Sequence, residues 1–298
     1  MTNDDARLPS IAVPHHYDLF YRRIDLVAHK FFGEVSIEMT VPEGGGMSDK
    51  YPNSIVLHTL EIYIQDAKLR EKDSDKVWTP KEFRQRFKDQ TCEVVFDTST
   101  KTSKAGDSKI WKERTTYYLD IKFHGVLNDL MAGLYRSTYK GLDGKIHTMA
   151  TTQFEPTDAR RAFPCFDEPA LRASFCLKVS IPSHLQCISN TPPASIHTSY
   201  DGNNDAVKVI TFQKTPKMPT YLVALVVGQF DQISQTSNKV QTTVYTVPGK
   251  ADQAEFCLDV AVKCLDLYQD LFKIPYPLVK SDLLAIPDFA AGNKQMLP

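Results

Sequence analysis

Glu34–Val41 reads EVSIEMTV, with Val35, Ile37, Met39 and Val41 alternating with Glu34, Ser36, Glu38 and Thr40. A period of two puts the four apolar side chains on one face of a β-strand and the polar ones on the other. SFCLKVSI (174–181) repeats the pattern with Phe175, Leu177, Val179 and Ile181. TYYLDIKF (116–123), CEVVF (92–96), VKVITF (207–212) and VQTTVYTV (240–247) read as further strands, separated by Gly, Pro, Asn and Asp turns. The unbroken apolar run within YLVALVVGQF (221–230) reads as a strand buried on both faces. Residues 10–247 are therefore expected to form a large, mainly β domain, a saddle or sandwich, after a tail of residues 1–9. Residues 66–116 are dense in charge, including KTSKAGDSK (101–109), and are expected to be solvated loops around one or two strands.

After VPGK (247–250) the period changes. ADQAEFCLDVAVKCLDLYQDLF (251–272) spaces Cys257, Val260, Ala261, Cys264, Leu265, Tyr268, Leu271 and Phe272 by three and four. That spacing predicts an amphipathic helix with one apolar stripe. Asp252 and Glu255 have the form of a capping box, and Pro275 and Pro277 stop the helix. A strand, Asp282–Ile286, follows. One helix and one strand cannot enclose a core. Residues 248–298 are therefore expected to be the loosely attached, truncated start of a second domain. Its uncovered stripe is expected to favour self-association.

Bulk properties narrow the function. A chain of 298 residues has room for two domains, and 42% hydrophobic with 24% charged residues is ordinary for a globular protein. The formal net charge of -1 supplies no basic field to hold nucleic acid. The polar Met1–Ser10 segment does not read as a secretory leader, and the longest apolar run, Tyr221–Val227, is far short of a membrane span. The six cysteines lack paired Cys-x-x-Cys spacing, which predicts reduced thiols in a cytoplasmic protein without membrane insertion.

The most informative stretch is TTQFEPTDARRAFPCFDEPALRASF (151–175). TTQF ends a strand, and Pro156 suits the first position of a short helix, Pro156–Ala162. Asp167 and Glu168 can pair with Arg160 or Arg161, which makes a rigid, salt-bridged corner the first reading of these residues. The second reading takes Gln153 and Glu155 as i,i+2 neighbours on one strand face. An amide oxygen beside a carboxylate suits an ammonium group, which needs both charge and extra acceptors.

This stretch resembles the N-terminal-domain signature of the zinc aminopeptidase family of aminopeptidase N and puromycin-sensitive aminopeptidase. KIPYPLVKSDLLAIPDFAAG (273–292) resembles the segment that leads to that family's exopeptidase motif. The resemblance spans roughly residues 10–292. It implies a β-saddle domain ahead of a thermolysin-like catalytic domain, and removal of N-terminal amino acids from peptides. It also implies that Gln153 and Glu155 help hold the substrate α-amine. In the family a Gly-Ala-Met-Glu-Asn loop whose Glu also binds the amine, a His-Glu-x-x-His helix and a further Glu that hold zinc, and a catalytic Tyr complete the site. Here the match breaks after Gly292, where Asn293, Lys294, Gln295 and Met296 stand in the loop's register.

None of the eight histidines forms a two-His-plus-carboxylate spacing; His184 with Cys187 is a lone His-x-x-Cys, and His15–His16 would point oppositely on a strand. Cys165 has no neighbouring base in sequence and reads as a buried structural thiol. The expectation is a chain with substrate-binding residues Gln153 and Glu155 and weak affinity for peptide N-termini. It is expected to bind no zinc itself and to be inactive alone. The alternatives are a noncatalytic interaction module or a nonfunctional fragment.

Overall fold

The structure, a computed structural model, describes residues 7–45, 50–99, 109–200 and 205–289. The expectations for Asn293–Met296, and most of KTSKAGDSK, lie outside the described residues. The chain opens with strands β1 (Val13–Asp25), β2 (Lys30–Thr40), β3 (Ser54–His58), β4 (Ile62–Glu71), β5 (Val77–Trp78), β6 (Pro80–Arg86) and β7 (Thr91–Phe96). Strands β8 (Thr116–Val126), β9 (Gly133–Lys140) and β10 (Ile146–Gln153) lead into the signature segment. After it come β11 (Ser174–Pro182), β12 (Gln186–Ser189), β13 (Pro193–Tyr200), β14 (Ala206–Phe212) and β15 (Leu225–Gly228). Strands β16 (Asp231–Ser237) and β17 (Val240–Thr246), helix α1 (Glu255–Phe272) and strand β18 (Lys280–Leu284) complete the order.

The mainly β reading holds. An eight-stranded sheet runs β13-β14-β11-β1-β2-β8-β4-β5, and smaller sheets run β12-β15-β10-β9, β16-β17-β18 and β3-β7-β6. Val35, Ile37, Met39 and Val41 are at most 2% exposed, as alternation requires. They join Phe175, Leu177, Val179, Ile181 and the signature's Phe154, Phe163 and Phe166 in one core. The parallel pairing of β1 with β11, His16 opposite Ser174 through Tyr21 opposite Val179, ties the segment after the signature to the start of the chain.

Residues 66–116 hold more sheet than expected. The end of β4, then β5, β6 and β7, fill much of the described part. CEVVF declares β7 in sequence, but charge masks β5 and β6, because β6 is polar and pairs with a strand that buries a carboxylate. Glu93 is 3% exposed and is satisfied by Ser54 Oγ at 2.7 Å and Arg86 Nη2 at 3.0 Å.

The C-terminal part packs as a β-α-β unit. β17 pairs in parallel with β18, from Gln241 opposite Lys280 to Tyr245 opposite Leu284, and α1 is the crossover. Position 247 thus falls inside a unit that begins with β16. The inward face of α1 is Leu258 and Val262, with Ala254 just before the helix, against Val244. Of the expected stripe, Ala261 and Leu265 are half-buried, while Cys257, Val260, Cys264, Tyr268, Leu271 and Phe272 are exposed. The helix carries apolar residues on more than one side, so spacing alone did not mark the packed one. The expected capping box is also absent. Asp252 lies in a 3-10 turn, Ala251–Ala254, and the N-cap Ala254 makes no side-chain cap.

Candidate functional site

β10 ends at Gln153, opposite Gly133 of β9. Glu155 lies beyond the strand, in the turn that begins with a cis bond to Pro156. The expected strand alternation of Gln153 and Glu155 therefore does not apply. They are linked instead by a long contact, with Gln153 Nε2 donating to the Glu155 carbonyl at 3.5 Å. This contact orients the amide and leaves Gln153 Oε1 buried without a hydrogen-bond partner among the described residues. Gln153 is 6% exposed, and Glu155 is half-buried.

The expected helix Pro156–Ala162 contracts to a 3-10 turn, Ala159–Arg161, preceded by a turn in which Asp158 N donates to the Phe154 carbonyl at 2.7 Å. Arg161 fans from that turn to Asp158 Oδ1 at 2.8 Å and Glu61 Oε2 at 2.6 Å. Its stem lies over Gly133, whose φ is +74°, and a Cβ there would meet Arg161 Cβ at 2.5 Å. Only glycine fits both the left-handed backbone and this close approach.

Arg160 turns inward. Its Nε donates to Asp167 Oδ2 at 3.0 Å and its Nη1 to Gln90 Oε1 at 2.9 Å. The other Asp167 oxygen accepts from Thr220 Oγ1 at 2.6 Å, and Asp167 N donates to His58 Nδ1 at 3.2 Å. His58 is neutral with its proton on Nε2; burial, helped by the Arg160 charge, lowers its pKa to about 3. Glu168, expected to pair with an arginine, instead accepts Leu8 N at 2.7 Å. The salt-bridged corner thus exists, and its arginines are bonded to Asp158, Glu61, Asp167 and Gln90. Cys165 is fully buried, and burial holds its thiol well above the ordinary range.

A further contact set had no sequence signal. Asp288 Oδ2 accepts Ser137 Oγ and Thr138 N, each at 3.1 Å. The Asp288 carbonyl accepts Tyr135 Oη at 2.7 Å, and Asp288 N donates to Ser137 Oγ at 3.2 Å. These bonds hold the segment after β18 on β9, the strand beside Gln153.

Among the described residues no group of three His, Cys, Asp or Glu side chains is placed to hold a metal ion. The histidines are committed singly. His16 bonds Ser174 and Asp18, His147 bonds Asp143, and His124 stacks between Phe32 and Tyr63. The zinc implied by the resemblance therefore has no fitting ligand set here, and no described residue is assigned to it. No described helix is long and apolar enough to cross a membrane.

Comparison with known proteins fits this geometry. Residues 13–222 match the peptidase M1 N-terminal domain. The chain is 39% identical to Aminopeptidase M1 of Arabidopsis thaliana over 97% of its length and 30% of the relative's. It is 38% identical to the Puromycin-sensitive aminopeptidase of Caenorhabditis elegans over 96% of its length and 28% of the relative's. Endoplasmic reticulum aminopeptidase 1 of Homo sapiens is 37% identical over 96% of this chain and 28% of its own. The chain spans under a third of the length of these relatives.

Proposed function

The chain belongs to the peptidase M1 family through its N-terminal domain, and on that premise we propose that it supplies the anchor for a peptide's free α-amine in an aminopeptidase. The observation that carries this reading is the partnerless, buried Gln153 Oε1, two residues from the Glu155 carboxylate. An unsatisfied buried acceptor costs about 1–3 kcal/mol, and an ammonium donor would remove that cost. An ammonium has three N–H donors, so it can bond the amide oxygen while its charge meets the carboxylate. The corner supports this division of labour. Arg160 and Arg161 bond Asp167, Gln90, Asp158 and Glu61, which holds the turn bearing Glu155 in place.

In the family, zinc supplies the activated water for hydrolysis. The share proposed for this chain is binding and orientation. Alone it is expected to turn over no aminoacyl anilide. A single partly solvated carboxylate is worth only ~0–1 kcal/mol toward an ammonium, so affinity for a free peptide is set near millimolar or weaker. We place the unit β16-β17-α1-β18 at the opening of the second, catalytic-side domain. A cytoplasmic location rests on the six unpaired thiols. The relatives' printed names include an endoplasmic-reticulum protein, so family membership alone does not fix a compartment.

A second reading, an interaction module that self-associates, is favoured by the exposed Phe256, Leu267, Leu271 and Phe272 of α1. The amine-anchor reading is tested by calorimetric titration of a short peptide and its Nα-acetylated form into the chain. The free amine should bind more tightly, and Glu155→Gln should erase the difference. Equal binding of both peptides would overturn it.

A further inference from the structure

A pocket of about 310 Å³ lies where β18 packs over the sheet edge made by β10, β12 and β15. Thr151 and Thr152, which directly precede Gln153 on β10, line it, whereas Gln153 and Glu155 do not. Ile188, Val226, Leu278, Ile286 and Phe289 give it apolar walls. Set into them is one charged pair, Lys280 and Asp282, whose side chains are only 15% and 8% exposed.

The pair is under-used. Lys280 Nζ donates to the Ser189 carbonyl at 2.7 Å and to Asp282 Oδ2. An ammonium has three donors, so one is left over. The Asp282 carboxylate bonds Lys280 and no other described side chain, which leaves most of its acceptor sites open. Burial drives its carboxyl pKa upward, and the Lys280 charge opposes that shift. A charge pair removed from water is poorly compensated unless its remaining lone pairs and protons find partners. This wall therefore offers one anionic and one cationic contact side by side, next to an apolar space.

We propose that this pocket binds a free α-amino acid with an apolar side chain. The ligand's ammonium meets Asp282, its carboxylate meets Lys280, and its side chain fills the space between Ile188, Val226 and Leu278. Every charge stays paired when the ligand enters, which neither a peptide N-terminus nor a fatty acid achieves. The inference does not rest on the amine anchor, because the two sites use different residues. If both hold, the pocket takes the class of molecule that an aminopeptidase releases.

The test titrates L-leucine, leucinamide, N-acetyl-leucine and glycine into the full chain, followed by backbone amide shifts. Leucine is expected to bind, with residues around Lys280–Leu284 shifting. The three analogues, each lacking the carboxylate, the ammonium or the side chain, should bind at least ~10-fold more weakly. Asp282→Asn should abolish leucine binding. Because that change is buried and could impair folding, Leu278→Trp at the half-buried rim is the second variant, expected to weaken leucine at least ~10-fold while leaving the fold intact by circular dichroism. Leucinamide binding as tightly as leucine would overturn the proposal, as would leucine binding untouched by Leu278→Trp. Leucine binding lost in Glu155→Gln but kept in Leu278→Trp would also overturn it, moving the ligand to the amine anchor.

Discussion

Asp167 holds Arg160 at 3.0 Å with both side chains at most 9% exposed, and the pair links the signature turn to β3 and to the segment around Thr220. Breaking a buried pair from one side leaves an uncompensated charge, which typically costs about 3–5 kcal/mol. Asp167→Ala is predicted to destabilise the chain by that order, measured as a shift of the urea midpoint. Thr220→Val removes one bond to the same carboxylate and should cost about 1–2 kcal/mol. Equal, small losses in both variants would mean that the corner is not held by this charge.

His58 gives the corner a pH dependence. Its folded pKa of about 3 lies below the ordinary 6.5, so the unfolded chain takes up the proton first as pH falls. The groups facing it are Arg160, whose charge disfavours protonation, and Asp167, whose N–H needs Nδ1 as an acceptor. The contribution is complete above pH 6.5 and is lost as pH falls toward 3, in the limit on the order of 5 kcal/mol. In His58→Asn, stability should lose that slope between these pH values. An unchanged slope would assign the acid sensitivity to other groups.

Gly133 and Gly144 make an internal comparison. Both have positive φ, +74° and +76°, but only Gly133 has a neighbour that a Cβ would strike. Gly144→Ala should cost about 1 kcal/mol from backbone strain. Gly133→Ala must also displace Arg161 and is predicted to cost about 1–2 kcal/mol more. Calorimetric melting of the two variants checks the order, and equal losses would contradict the Arg161 contact.

The outward face of α1 is predicted to drive self-association of the isolated chain. Phe256, Leu267, Leu271 and Phe272 are each at least 60% exposed, and exposed large apolar side chains favour association. Sedimentation velocity should show concentration-dependent dimers or larger species, reduced in the Leu271→Glu, Phe272→Lys double variant. A monomer at high concentration would count against it.

Much of the β architecture is legible because alternation is local: Val35, Ile37, Met39 and Val41 declare their face without help from the rest of the chain. Gln153 and Glu155 were legible as a pair through the signature, but not the end of β10 between them, which a tight turn decides. His58 and Asp167 meet across 109 residues, and Ser137 and Asp288 across 151, so no spacing rule reaches them. Charge hid β5 and β6 for a different reason: charged side chains flank or fill them, and the buried Glu93 that anchors β6 to β7 takes its partners Ser54 and Arg86 from neighbouring strands. The packed side of α1 was misjudged because apolar residues occur around much of the helix while the sheet covers only Leu258 and Val262 fully.

Gln153 and Glu155 are proposed to receive a free α-amine. The most direct test is the side-chain amide resonance of Gln153, followed by nuclear magnetic resonance during titration with a short peptide. The resonance is expected to move with the free-amine peptide, to stay still with the Nα-acetylated peptide, and to cease responding in Glu155→Gln. A resonance that is unmoved by the free amine, or that moves equally with the acetylated peptide, would contradict it.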